Sequence, residues 1–331
     1  MMGLLILLGA ATLVLLCGLA AMLAFEMRHP PRHTMAYALA RGMPCDPGEV
    51  GLDFDQWWLD RPDGASLPVW DIRTNRDSER DDSLTIVFVH GWGHSRINVL
   101  PRVRLFVEGC KRLVLYDLRG HGESRNCASR LGDGEQRDLL ALLERVGKGP
   151  VVLVGHSMGA VIAIQAAIEA AHGAMQALPH IAGIISYSAY CDFHVSLRGR
   201  LTVAGYPTRP ITDLALLVNR ASGVHPLTLR PADVASIDCP MLMFHGEDDR
   251  VAPSVHSQRL ATSAKDAEFH CFAGAAHADV HAVDPDHHDA IVRDFIARLK
   301  PIDEAGSEMS SPRTRDSTAA PRANVLSDSE Q

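Results

Sequence analysis

The chain has 331 residues, 47% of them hydrophobic and 22% charged. That is apolar material for one large folded domain or two small ones, and it excludes a wholly disordered, collagen-like or miniature disulfide-stapled protein. Acidic residues number 40 against 32 Lys and Arg, a net charge of −8, so no basic surplus exists to neutralise phosphates: a small-molecule substrate is expected and nucleic acid is not.

From Met1 to Phe25 no side chain is charged; Glu26, Arg28 and His29 follow, then Pro30 and Pro31. As a helix, residues 1–27 are long enough to cross ~30 Å of hydrocarbon. A cleaved signal peptide would carry a basic start and an apolar region of roughly 7–15 residues. Lipoprotein attachment at Cys17 would want a small residue where Leu16 stands, and a buried core helix would need cover on every side. The stretch therefore reads as a transmembrane anchor. Arg28, Arg32 and Arg41 follow it while only the α-amino group precedes it, a bias that puts the main domain of a single-pass protein on the cytoplasmic side. Beyond the anchor, Cys45, Cys110, Cys127, Cys191, Cys239 and Cys271 are scattered without a C-x-x-C pair, a pattern of free thiols rather than of a zinc site. Residues 28–49, with their prolines, read as a linker, and 301–331, rich in Ser, Thr, Ala, Pro and charge, as a disordered tail.

Within 50–300 the first elements are extended: Asp53 to Leu59 and Leu67 to Ile72 flank Arg61-Pro62-Asp63-Gly64, a hairpin signal. After them, apolar runs at Leu84 to Val89, Arg112 to Tyr116, Val151 to Val154, Ile181 to Tyr187, Met241 to Phe244 and Ala267 to Phe272 alternate with helix-length stretches, notably Gln136 to Val146, Val161 to Ala171 and Asp289 to Leu299. Near-continuous Val/Ile/Leu strands between helices predict an α/β fold, its mostly parallel sheet covered by helices on both faces behind an N-terminal antiparallel hairpin. From about 191 to 238 the rhythm breaks. That interval has one clear helix, Ile211 to Ala221, capped near Thr212 and Asp213 and stopped by Gly223, and reads as a small lid over the carboxyl ends of the strands.

The strongest chemical signal is Val151-Val152-Leu153-Val154-Gly155-His156-Ser157-Met158-Gly159-Ala160, an apolar strand running through G-x-S-x-G into a helix. A nucleophile on so tight a turn needs Gly or similarly small neighbours two residues either side, and it stands at a helix N-terminus, where backbone N–H groups favour developing negative charge. Ser157 needs a base and an acid to orient that base. After the strand ending at Phe244, His245-Gly246-Glu247-Asp248-Asp249 offers three carboxylates, of which Asp249 is preferred and Asp248 held in reserve. The run Ala273-Gly274-Ala275-Ala276 follows another strand and ends in His277, the one histidine of 17 that a flexible loop can carry across to Ser157. Among the others, His156 and His245 read as packing or supporting residues. His281, His287 and His288, among Asp284, Asp286 and Asp289, read as the solvated start of the last helix rather than a metal site. Oxyanion donors are expected at the backbone N–H of Met158 and, from the loop His90-Gly91-Trp92-Gly93, of Trp92.

Taken in order from Asp53 to Lys300, the H-G-x-G loop, the segment Tyr116-Asp117-Leu118-Arg119-Gly120-His121-Gly122-Glu123-Ser124, the G-x-S-x-G turn or nucleophile elbow, the G-E-D-D turn and the late histidine resemble the α/β-hydrolase fold superfamily. The D-x-R-G-x-G-x-S segment is similar to that of monoglyceride-lipase-like and serine-aminopeptidase-like members. The resemblance implies Ser157 as nucleophile, Asp249 as acid, His277 as base and Trp92 with Met158 as oxyanion donors, and it adds no cofactor. Dehalogenases and epoxide hydrolases of this fold place Asp at the elbow, so Ser157 argues against both; Ala160 stands where a third glycine is frequent. The expected activity is hydrolysis of a carboxylic ester or thioester, with Leu214, Leu216, Leu217 and Val218 of the lid favouring a lipophilic acyl group. The same three residues would serve an acyltransferase or a serine peptidase or amidase. A catalytically inactive scaffold would lack one of them, and none is missing.

Overall fold

The computed structural model describes residues 1–74, 84–173 and 178–299. Helix α1 (Met2–Arg28) leads to a short α2 (Met35–Leu39), a 3-10 turn at Pro47–Val50, and strands β1 (Phe54–Asp60) and β2 (Ser66–Arg73). Strands and helices then alternate: β3 (Thr85–Val89), α3 (Leu100–Val107), β4 (Arg112–Tyr116), α4 (Asp133–Val146), β5 (Pro150–His156), α5 (Met158–Ala171) and β6 (His180–Tyr187). Helices α6 (Phe193–Val203), α7 (Ile211–Ala221) and α8 (Pro231–Val234) intervene before β7 (Met241–Gly246), α9 (Val255–Ser263), β8 (Ala267–Phe272), α10 (Val280–Val283) and α11 (Pro285–Leu299). The strands make one sheet in the order β1-β2-β4-β3-β5-β6-β7-β8. Strand β2 is antiparallel to both β1 and β4, and every pairing from β4 to β8 is parallel.

Alternation of side chains along each strand divides the core between two faces. Ile86, Phe88, Leu113, Leu115, Val152 and Val154 point to one, under Leu100, Val103 and Phe106 of α3 and Val292, Phe295 and Ile296 of α11. Val87, Val89, Val114, Tyr116, Val151 and Leu153 point to the other, under Leu139, Leu142 and Leu143 of α4 and Ile162, Ala163 and Ala166 of α5. Each large aliphatic side chain buried this way contributes roughly 1.5–3 kcal/mol, and burial on both faces is why the strands read as unbroken apolar runs. Strand order reverses at β3, which lies between β4 and β5 although it precedes both in the chain. Such a reversal opens a crevice at the carboxyl ends of the strands; here those ends carry the loop from His90 and the turn at Ser157.

The loop after β4 is fixed by buried ion pairs. Arg96 reaches Asp117 at 2.6 Å and Glu123 at 2.8 Å, and Arg119 reaches Asp138 at 2.7 Å. Asp117 also accepts the backbone N–H groups of Arg96 and Glu123, both at 2.8 Å. The D-x-R-G-x-G-x-S segment thus owes its residue types to architecture.

Helix α1 has the length and apolar character to cross a membrane, and only 6% of its most apolar window is buried. Its last turns are different. Ala20, Leu23, Ala24 and Met27, spaced to form one face, are buried, the last three in the core cluster that also holds Ala215 and Leu216 of α7. Residues 28–49, expected as a linker, lie against the domain: Arg32 donates to the carbonyl of Ser124 at 2.7 Å, and Ala38 and Cys45 are buried among Trp70, Ile97 and Leu100.

The 191–238 interval, expected as a lid, carries the three helices α6, α7 and α8. Its α7 matches the expected range, but the helix starts after Pro210 with no side-chain cap; Thr212 and Asp213 lie in its first turn, and Asp213 pairs with Arg198 at 2.5 Å. Sequence reading gave no helix for Phe193–Val203, yet α6 forms there, its N-terminus capped by the Asp192 carboxylate on the N–H of His194. The expected tail, 301–331, lies outside the described residues.

Candidate active site

Ser157 stands between β5 and α5 with φ 53° and ψ −117°, a conformation that costs a non-glycine residue roughly 1–3 kcal/mol and that the packing on both sides enforces. A Cβ on Gly155 would lie 2.5 Å from Ala160 Cα, and one on Gly159 would lie 2.0 Å from the Val89 carbonyl oxygen. Glycine is therefore required at both. The Ser157 N–H donates to the Tyr187 carbonyl at 2.8 Å, tying the turn to β6.

The three side chains expected to converge do so from three elements. Ser157 Oγ lies 2.8 Å from His277 Nε2, and His277 Nδ1 lies 2.7 Å from Asp249 Oδ2. The tautomer that satisfies both bonds has Nδ1–H donating to the carboxylate and Nε2 accepting from the serine hydroxyl. Asp249 Oδ1 accepts the N–H groups of Val251 and Ala252, both at 2.8 Å. Burial alone would raise the Asp249 pKa, but hydrogen bonds from His245 and His277 and from the backbone outweigh it and hold the carboxyl well below its usual range. Asp248, the reserve, is exposed.

Supporting contacts come from residues whose part the sequence left open. His245 is fully buried at the end of β7, its Nε2 2.6 Å from the Ala252 carbonyl oxygen and 3.0 Å from Asp249 Oδ2, its Nδ1 2.7 Å from Ser257 Oγ. The His277 carbonyl accepts from Ser188 Oγ at 3.0 Å and His156 Nε2 at 3.2 Å. His90 links the loop after β3 to the one after β4: its Nδ1 donates to the Gly91 carbonyl at 2.8 Å and its Nε2 accepts the Leu118 N–H at 3.0 Å.

Met158 and Trp92 border the same cavity as Ser157. Met158 opens α5, where a backbone N–H has no acceptor within its own helix. The Trp92 indole N–H donates to the Met27 carbonyl at 2.9 Å, so the loop after β3 is pinned to the end of α1. The cavity measures about 380 Å³ and is mostly apolar. Leu23 and Met27 of α1 wall it on one side, Phe193, Leu197 and Leu201 of α6 on another. The lid residues expected to favour a lipophilic group are not among its lining: Leu216 is buried against α1, and Leu217 and Val218 are 62% and 39% exposed. The apolar lining comes instead from the i, i+4, i+8 stripe of α6 together with Leu23 and Met27 of α1. That helix also brings Arg200, absent from the sequence reading, whose Nη2 lies 3.4 Å from Ser157 Oγ.

The late histidine cluster differs from expectation. His288 is buried rather than solvated, its Nε2 2.9 Å from the Tyr187 hydroxyl and its Nδ1 2.9 Å from Asp289. With His281 and Asp289 it brings ligand-type atoms within 4.8 Å of one another, but the contacts to Tyr187, Phe244 and Phe272 make it part of the packing between α11 and the sheet.

Residues 86–294, more than half of the chain, match the family described as alpha/beta hydrolase. The chain belongs to the alpha/beta hydrolase family. Among relatives of this alpha/beta hydrolase, an uncharacterized protein of Bacillus subtilis, YqkD, is 29% identical over 207 residues, 58% of this chain and 63% of that one. An sn-1-specific diacylglycerol lipase of Mus musculus is 38% identical over 85 residues, 25% of this chain and 28% of the lipase. The matched segments thus span less than two thirds of either relative. An esterase of Pyrococcus furiosus superposes with a TM-score of 0.62 at 20% identity, covering 83% of this chain and 99% of the esterase, which shows a shared fold.

Proposed function

We propose that this alpha/beta hydrolase is a single-pass membrane-anchored serine hydrolase, its domain on the cytoplasmic side, that cleaves a lipophilic carboxylic ester or thioester through an acyl-enzyme. The observation that carries the reading is the hydrogen-bonded series from Ser157 Oγ through His277 to Asp249 at the wall of an apolar cavity. As Oγ attacks the acyl carbon its proton passes to Nε2 of His277, and the charge that develops on the carbonyl oxygen meets the N–H groups of Trp92 and Met158. Asp249 holds the imidazole in the required tautomer and stabilises its charged form. The proton then moves to the departing alcohol or thiol as its bond to the acyl carbon breaks. Water, deprotonated by His277, attacks the acyl-enzyme in turn, releasing the acid and restoring the serine.

The substrate class rests on the lining. Leu23 and Met27 belong to the helix proposed to sit in the bilayer, so the wall of the cavity is continuous with the lipid-facing element. The lipase and esterase activities named for the relatives fit the same class. The test is ester turnover by the full chain in detergent micelles. kcat/KM should rise from p-nitrophenyl butyrate to p-nitrophenyl laurate, and His277→Ala should lower kcat by ~10³-fold or more. Undiminished turnover in the His277→Ala protein would refute the reading.

A further inference from the structure

Resting on that reading, we propose that Arg200 determines specificity by receiving an anionic group, of phosphate or carboxylate type, on the alcohol portion of the substrate ester. Arg200 is half-buried on α6, its Nη2 3.4 Å from Ser157 Oγ and its guanidinium carbon 5.3 Å from the Trp92 ring centroid. A hydroxyl and an aromatic face cancel no charge. Among the described residues Arg200 makes no ion pair, whereas the two most deeply buried guanidiniums do: Arg96 with Asp117 and Glu123, Arg119 with Asp138 and Asp63. The nearby carboxylate of Asp249 already accepts from His277, His245 and two backbone N–H groups, and Glu26, at the edge of the same cavity, is exposed and pairs with nothing described.

Arginine stays charged in proteins, and a desolvated charge without a partner is costly. Burial accordingly pushes the Arg200 pKa down from its usual value. A chain under no demand for anion recognition would place Leu or Met here, as it does at 197 and 201. The fork of N–H donors suits two oxygens at once. An anion seated one hydrogen-bond length beyond the guanidinium lies within ~6 Å of Ser157 Oγ, about the span of a glycerol backbone. The apolar stripe beside it takes the acyl chain, which assigns the charged group to the part that leaves.

The test compares 1-oleoylglycerol with 1-oleoylglycerol 3-phosphate on the full chain in micelles. In each, one water is consumed, the ester C–O bond breaks, and oleic acid and the alcohol are released. Wild type should favour the phosphate ester at least tenfold in kcat/KM, Arg200→Gln should cut that ratio at least tenfold, and Arg200→Lys should keep part of it. A wild-type ratio near one overturns the assignment and needs no variant to fold. So does an unchanged ratio in Arg200→Gln with both esters slowed alike, which would make Arg200 a third oxyanion donor. Stimulation of the neutral ester by inorganic phosphate to the level of the phosphorylated one would put a free anion on Arg200 and overturn it too. Hydrolysis of both esters at equal rates removes this inference alone; failure to hydrolyse any ester, with Ser157 unreactive, removes the hydrolase reading beneath it.

Discussion

His245 Nε2 lies 3.0 Å from Asp249 Oδ2, the same oxygen that His277 Nδ1 approaches at 2.7 Å, so one carboxylate oxygen is shared by two imidazoles. Both His245 and the Asp249 side chain are fully buried, and His245 is itself oriented by Ser257 and the Ala252 carbonyl. His245 thereby fixes the direction in which Asp249 faces His277. Replacing it with Phe leaves buried acceptors unpaired at a cost of about 1–3 kcal/mol. The variant should melt at lower temperature and lose kcat roughly tenfold with KM little changed. His245→Gln, which can still donate, should recover part of both, and equal losses in the two variants would reduce His245 to a packing residue.

The shared wall between α1 and the domain predicts what truncation does. A fragment starting near Thr34 loses Leu23 and Met27 from the cavity and uncovers the face of α7 that holds Ala215 and Leu216. Each fully buried large side chain removed costs roughly 1.5–3 kcal/mol. The fragment should melt well below the full chain and lose its preference for long acyl esters more than its turnover of short ones. An unchanged chain-length profile would show that α1 is a tether only.

Four imidazoles near the strand ends predict an acid limb of stability. Burial is the largest cause of lowered pKa in all four: His90 and His156 fall well below the usual value, and His94 and His121 fall to about 4. A lowered folded-state pKa contributes stability that is complete above the unfolded pKa near 6.5 and is lost as pH falls toward the folded value. Between pH 6.5 and 4 the unfolding free energy should drop, with His121 alone contributing on the order of 3 kcal/mol. Denaturant titrations at several pH values should show the fall, less steep in His121→Asn; a flat profile for wild type would contradict the burial seen for His121.

The parallel strands were legible in the sequence because helices on both faces make them apolar throughout, and β4 and β8 begin and end where the apolar runs do. The positions of Ser157 and His277 were legible for a related reason: small residues at 155, 159 and 273–276 are explained only by a tight turn and a travelling loop. Helix α6 was not, since His194, Arg198 and Arg200 interrupt its pattern and only the 193, 197, 201 spacing after Asp192 betrays it. The buried face of α1 was hidden because a segment apolar on every side gives no sign of which side meets protein. A strand-end histidine such as His245 looks the same whether it packs or holds a carboxylate.

The most direct measurement is covalent labelling of the full chain with a fluorophosphonate, followed by peptide mapping. The label is predicted on Ser157, absent from Ser157→Ala, and strongly slowed in His277→Ala. Wild-type protein that turns over esters while its label sits on another residue, or a Ser157→Ala protein that still labels, would contradict the central claim.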